Sequence, residues 1–229
     1  MLQGIIQNNF ENSEDFIVGF ADMRNLVQDN DLNYGIVIGR RLDNKVIDQI
    51  NDGPTLEYHH HYKQVNDQLS KIIHRVEAYL ISAGYRCRIV EPSAGKGYSI
   101  DEYDPVTLRA PVSHKMIGTR AGLGWIGKTD LFISNKFGAR LRLVSLLTDY
   151  QLPAVGVPIL ESKCGSCRAC VLSCPAKAAN GQPWNIHTDR DQFYDAHKCE
   201  KKCNEISRSR LNLDASICGI CIAHCPIGM

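Results

Sequence analysis

Cysteine spacing constrains this chain more than any other feature. Ten cysteines occur in 229 residues, and nine of them follow residue 160. Cys164, Cys167, Cys170 and Cys174 form a C-x2-C-x2-C-x3-C run closed by Pro175. A second, partial run places Cys218, Cys221 and Cys225 before Pro226, with Cys199 and Cys203 upstream. Close C-x2-C turns bring successive thiolates to neighbouring irons of one cubane. The cysteine before the proline points away and ligates the other cluster of a pair. The spacing therefore assigns Cys164, Cys167, Cys170 and Cys225 to one 4Fe–4S cluster. Cys174, Cys218 and Cys221 go to a second, with Cys199 or Cys203 as its fourth ligand. A zinc ribbon would show paired knuckles rather than a three-spaced run ending in Cys-Pro, and disulfides do not demand this spacing.

The bulk properties narrow the context. Formal net charge is +1, so no broad field draws the chain to nucleic acid or membrane. The densest basic stretch, 198–210, is interleaved with Glu200 and Glu205 and reads as a solvated face. The first residues, MLQGIIQNNFENSEDF, lack a basic segment followed by an apolar core, so no secretory leader is expected. No apolar run approaches the ~20 residues of a membrane span. Thiolate-held clusters suit a reducing compartment, and the expected location is cytoplasmic.

The polarised cysteines divide the chain on paper into an N-terminal domain, 1–155, and a ferredoxin-like two-cluster domain, 156–229. The proline- and glycine-bearing stretch 151–158 reads as the connection. Residues 34–39 (YGIVIG) form a short apolar run expected as a buried strand. From Gly53-Pro54-Thr55 to Ala83, Val65, Leu69, Ile72, Val76, Tyr79 and Leu80 recur at threes and fours, which predicts a long amphipathic helix ended by Gly84. Residues 85–90 alternate like a strand, with Cys87 as a packing residue. Residues 131–134 and 141–147 are expected as two strands joined by a turn at 135–138. The predicted class is α+β, a mixed α/β N-terminal domain with a bacterial ferredoxin-like C-terminal domain.

Residues 122–129, GLGWIGKT, match the phosphate-loop pattern G-x4-G-K-T. That loop needs a buried strand before it and a helix after it, whose N-terminus holds the phosphates. Here SHKMIGTRA precedes and DLFISNKFG follows, neither of the required type. An ATPase coupled to clusters is thus the weakest of three functional readings, separable by Mg-ATP binding.

AGLGWIGK (121–128), LFIS, a Gly-Ala-Arg-Leu-Arg strand, LLTDYQLP (146–153) and CGSCRACVLSCP (164–175) occur in this order. The chain resembles the epoxyqueuosine reductase family and its shorter double-cluster 4Fe–4S relatives; reductive dehalogenases are similar in layout. The resemblance is tightest over 111–175, continues through ICGICIAHCP (217–226), and is looser over 53–66. It implies a base-off cobalamin that receives single electrons from the clusters. It also implies that Gly122, Gly124, Trp125, Gly127 and Lys128 border the corrinoid. The family's cluster cysteine after an Asp-Ala pair corresponds to Cys199, after Asp195-Ala196, which favours Cys199 over Cys203. The implied donor is a low-potential ferredoxin or flavodoxin, and the implied substrate a small molecule or another corrinoid protein.

The chain departs from the family in three ways. Aligned on Ala121, the family's proton-donating Asp falls on Leu108. Its Gly falls on Ala110, Pro111 is kept, and its Glu-Arg becomes His114-Lys115. The tRNA-modifying enzymes continue past the clusters into helical repeats, whereas this sequence ends at Met229. No basic excess replaces that surface. A tRNA partner is therefore not expected, and the catalytic group stays unassigned. Asp101, Tyr103, Asp104 and His114 lie where a substitute acid would be sought, although each singly reads as a solvent-exposed loop residue. The triplet His59-His60-His61 reads as a polar helix face with one ring packed inward. His187, His197 and His224 neighbour cysteines in sequence. The leading reading is a cobalamin-dependent iron–sulfur reductase. The alternative is an electron-transfer module without an organic cofactor. A bare two-cluster module needs only the stretch from Cys164 to Cys225, so the preceding residues tip the balance toward an enzyme.

Overall fold

The computed structural model describes residues 2–26, 31–92 and 103–228. In chain order the elements are α1 (Leu2–Gln7), β1 (Phe16–Asp22), β2 (Tyr34–Arg41), α2 (Asn44–Ile47), α3 (Leu56–Ser82), β3 (Cys87–Val90), α4 (His114–Arg120), β4 (Gly124–Ile126), β5 (Phe132–Ser134), β6 (Leu141–Thr148), α5 (Ala169–Leu172), α6 (Arg190–Phe193), α7 (Ala196–Leu211) and α8 (Ile220–Ala223). No helix among the described residues is long and apolar enough to cross a membrane.

Two compact units emerge, and their borders interleave. The first comprises 1–41, 64–123 and 142–159; the second comprises 42–63, 124–141 and 160–229. This differs from the linear division at 155/156. Cysteine positions mark only where the thiols lie, and two earlier segments belong to the thiol-bearing unit.

The first unit is built on a four-stranded sheet of order β1-β2-β6-β3. β1 pairs antiparallel with β2, Phe16 opposite Arg40, and β3 pairs antiparallel with β6, Cys87 opposite Thr148. The central strands β2 and β6 are buried almost throughout, whereas edge strand β1 alternates. This matches the continuous apolar run of YGIVIG, since a strand covered on both faces has no polar side. Ile36, Val37, Ile38, Val144, Leu146 and Leu147 are fully buried. α3 begins with Thr55 as its cap, whose hydroxyl accepts from the Tyr58 N–H at 3.1 Å. Its buried stripe of Val65, Leu69, Ile72, Val76 and Leu80 follows the expected spacing.

α3 and α4 stop by the same device. The N–H groups of Gly84 and Tyr85 return to the carbonyls of Ile81 and Leu80; those of Gly122 and Leu123 return to Thr119 and Gly118. Gly84 and Gly122 hold φ of +88° and +71°, the left-handed position such a closure requires. Gly122 is therefore a helix terminator.

The second unit contains the β4–β5 hairpin, Gly124 opposite Ser134, and the helices of the cysteine runs, where α5 packs on α8. The two strands expected at 131–134 and 141–147 form as β5 and β6 on either side of the turn, in different sheets. The turn after β5 closes on itself through two Ser134–Gly138 backbone hydrogen bonds, and β5 pairs with β4 while β6 joins the larger sheet. Turn chemistry at 135–138 is local and cannot reveal which strand lies alongside. α7 starts at Asp195, which accepts from the Lys198 N–H, and ends at Asn212 with φ +54°. Its basic residues Lys198, Lys202, Arg208 and Arg210 pair with Asp195, Glu205, Asp214 and Asp52. That is the solvated face expected from the interleaved charges.

Candidate metal centre

Within the second unit, Cys164, Cys167, Cys170 and Cys225 line a cavity of about 70 Å³, walled on its apolar side by Leu131, Ile133 and Ile227. Cys225 comes from the second run, so the two runs are interlocked. The thiols are met by donors. The Trp125 indole N–H points at the Cys164 Sγ, with Nε1 3.3 Å away. The Thr129 hydroxyl donates to Cys170. The backbone N–H groups of Ala139 and Ile227 donate to Cys225. Lys128, only 4% exposed, donates from Nζ to the carbonyls of Gly165 at 2.7 Å and Cys167 at 2.9 Å. Burial pushes the Cys170 and Cys225 thiols up, so binding iron there releases protons.

A second set gathers around α7 and α8. The Cys199 and Cys203 sulfurs are 3.8 Å apart, one helical turn along α7. Cys203 also bonds Cys218, which receives the Ile220 backbone N–H. Cys221 lies in electrostatic reach of Cys199, Cys218, Cys170 and Cys174, and burial pushes its thiol up. The Tyr194 hydroxyl donates to Cys199. With Cys203 as its main donor and Tyr194 as a second, the Cys199 thiol falls to about 7, while Cys203 is raised because Cys199 and Cys218 both hold its proton. The two sulfurs thus share one proton between them. No three His, Cys, Asp or Glu side chains among the described residues converge on a single-ion position. A cubane presents four separate irons, so its thiolates ring a volume instead of meeting at a point.

The residues that the resemblance sets beside a corrinoid make the following contacts. Trp125 and Lys128 direct their side chains to the cysteine loop. A Cβ on Gly124 would lie 2.1 Å from the Ile133 carbonyl oxygen, and one on Gly127 would meet the Ile133 side chain at 2.9 Å. Their lack of a side chain lets the hairpin strands close. The phosphate-loop match also fails on geometry: helix α4 precedes it, strand β5 follows, and its lysine is buried against carbonyls.

The remaining candidates resolve individually. The His114 ring bonds Ser145 Oγ and the Glu91 carbonyl, both at 3.0 Å. Burial above all, then Arg142 and Lys115, holds it down to about 4, against the bond to Glu91. It is a part-buried residue with both ring nitrogens hydrogen-bonded and its charged form disfavoured. Asp104 caps a turn, accepting from the Val106 N–H and the Thr107 hydroxyl. Leu108 sits in the same turn at φ +54°. Tyr103 lies beside that turn, and Asp101 lies outside the described residues. In the triplet, His61 accepts from the Asp43 N–H at 3.0 Å, His59 is partly buried and His60 is exposed. His187 and His197 are exposed, and the His224 Nδ1 bonds the Ile220 carbonyl. The Cys87 Sγ lies 3.6 Å from Thr148 Oγ1. Thr129 and Tyr194 were not anticipated. The Lys-Thr pair of the apparent phosphate loop was the available signal for Thr129, and a lone tyrosine offered none.

Residues 163–228 match the model of the 4Fe-4S double cluster binding domain. The chain has a mixed helix-and-strand fold ending in a double-cluster iron–sulfur domain. It is similar to the epoxyqueuosine reductases. That of Aliivibrio fischeri is 32% identical over 118 residues, 52% of this chain and 26% of the relative. The chain spans roughly a quarter to two fifths of the length of the curated relatives it matches. Among solved structures, a reductive dehalogenase for which B12-dependent dehalogenation is described superposes with a TM-score of 0.66 at 17% identity, covering 93% of this chain and 30% of that one. An epoxyqueuosine reductase bound to a tRNA-Tyr epoxyqueuosine-modified stem loop gives 0.59 at 15% identity, covering 99% and 64%. These superpositions establish the fold.

Proposed function

We propose that the chain is an iron–sulfur oxidoreductase of the epoxyqueuosine reductase type. Cys164, Cys167, Cys170 and Cys225 would hold one 4Fe–4S cluster, and Cys174, Cys199, Cys218 and Cys221 the other. When bound, such clusters accept and release electrons singly. The observation that carries the reading is the interlocked thiol ring. Cys225 crosses from the second run to the cavity of the first, and three of its four thiols already face hydrogen-bond donors. The protein's own part is to hold the thiolates apart, keep the first cavity dry with Leu131, Ile133 and Ile227, and direct N–H and O–H groups at sulfur. Anaerobic reconstitution should load two clusters, about eight irons per chain, with interacting EPR signals on reduction. Loading of a single zinc or of one cluster alone would overturn the assignment.

A cobalamin acceptor is supported by resemblance and by the B12-dependent chemistry of a structural relative. That Gly122, Gly124, Trp125, Gly127 and Lys128 border such a corrinoid is part of the same proposal and rests on the resemblance. Titrating the loaded protein with cobalamin while following the Co(II) EPR signal separates a corrinoid reductase from an electron-transfer module. The proposed donor is a low-potential ferredoxin or flavodoxin, and the proposed substrate a small molecule or corrinoid protein. With a formal charge of +1, tRNA binding should be weak and lost at moderate salt.

A further inference from the structure

Lys128 is a buried cation whose contacts among the described residues are two backbone carbonyls and no carboxylate. Carbonyl dipoles solvate an ammonium without neutralising it, and an uncompensated buried ion is strongly unfavourable. The same side chain lines the cavity ringed by Cys164, Cys167, Cys170 and Cys225. A thiolate-bound 4Fe–4S cluster there is net negative, and reduction adds one further negative charge. Lys128 would find its counter-charge in that cluster and would favour the reduced form. Trp125 acts in the same sense through its N–H on Cys164, with the Lys163 ammonium 6.0 Å from its ring. Thr129 does so through its hydroxyl on Cys170. Hydrogen bonds to sulfur and local charge are recognised determinants of cluster potential.

The second thiol set also receives donors, the Tyr194 hydroxyl on Cys199 and the Ile220 N–H on Cys218, but it has carboxylates beside it. The carboxylates of Asp130 and Glu200 act on Cys199. The guanidinium of Arg210, which acts on Cys218, is solvent-exposed and paired with Asp52. Negative neighbours disfavour adding an electron.

Resting on the two-cluster reading above, we propose that Lys128, assisted by Trp125 and Thr129, makes the cluster at Cys164, Cys167, Cys170 and Cys225 the higher-potential one. An electron delivered by a low-potential one-electron donor to the second cluster would then leave it and come to rest on the first. Lys128 is a positioning residue for charge and takes no part in bond making.

The test is an EPR-monitored redox titration of the reconstituted full chain. A Cys167→Ser ligand variant identifies the signal of the first thiol group. In Lys128→Gln, the reduction equilibrium of that cluster should fall at least tenfold, about 59 mV for a one-electron step, while the other stays unmoved. Lys128→Arg should restore the wild-type value, and Trp125→Phe should produce a smaller fall in the same cluster. Unmoved potentials in Lys128→Gln carrying its full iron, or equal shifts in both clusters, would overturn the inference alone. If Lys128→Gln fails to load the first cluster, the Trp125→Phe titration decides: a fall there supports the inference and no change overturns it. Wild-type protein that does not load two clusters would sink the two-cluster reading itself.

Discussion

The two thiol sets share one unit and nearly one sequence motif, yet their surroundings differ. The first cavity is lined by Cys164, Cys167, Cys170 and Cys225, with Cys221 of the other set beside them, and is met by an indole N–H, a hydroxyl, two backbone N–H groups and a buried ammonium. The second holds five candidate thiols, a phenol and two carboxylates in electrostatic reach. The contrast shows that ligand spacing sets which cofactor can bind, while distant segments decide how each copy behaves. The β4–β5 hairpin supplies Trp125 at one end, and Lys128 and Thr129 follow in its turn; all three serve the first set.

The largest effect should break the pairing itself. Cys225→Ser, although in the second run, should remove the cluster ligated by the first run and leave about half the iron. Loss of both clusters, or of neither, would show that the runs do not interlock. Next, Cys199→Ser should lose the second cluster while Cys203→Ser keeps both, read by iron content and EPR. The reverse result would make Cys203 the eighth ligand.

A smaller effect lies outside both sets. His114 is held near 4 in the fold against an unfolded value near 6.5, so its contribution is fully present above pH 6.5 and is lost as pH falls toward 4. This amounts to about 3 kcal/mol at most. His114→Gln should flatten the acid limb of stability in that window, measured by denaturant unfolding. An unchanged limb would assign acid sensitivity to the thiol unit. Smallest should be Tyr194→Phe, which keeps both clusters and shifts only the second cluster's signal. A shift confined to the first cluster would mean Tyr194 does not serve Cys199.

Parts of this were legible in the chain. The α3 stripe, the Gly84 stop and a buried strand at 34–39, which extends to Arg41 in the structure, followed from periodicity and glycine, because local packing repeats at fixed spacing. The pairing of β5 did not, since strand partners are chosen by non-local packing. Edge strand β1 was passed over because its FIVGFAD run is short and interrupted by glycine. The site divided in the same way. Cysteine positions were plain, whereas Trp125 and Lys128, nominated for a corrinoid on resemblance, turn to the cysteine loop.

The amino-acid sequence alone determined the thiol inventory, its division into two runs each closed by Cys-Pro, the long amphipathic helix and the near-neutral charge. These are local or compositional properties. Only the tertiary structure decided that residues 42–63 and 124–141 join the thiol-bearing unit, that a buried lysine bonded to two backbone carbonyls lies against one thiol set, and that Tyr194 reaches Cys199. The first two depend on chain segments far apart in sequence coming together, and the third on the bend between Tyr194 and helix α7; residue order carries no direct record of either.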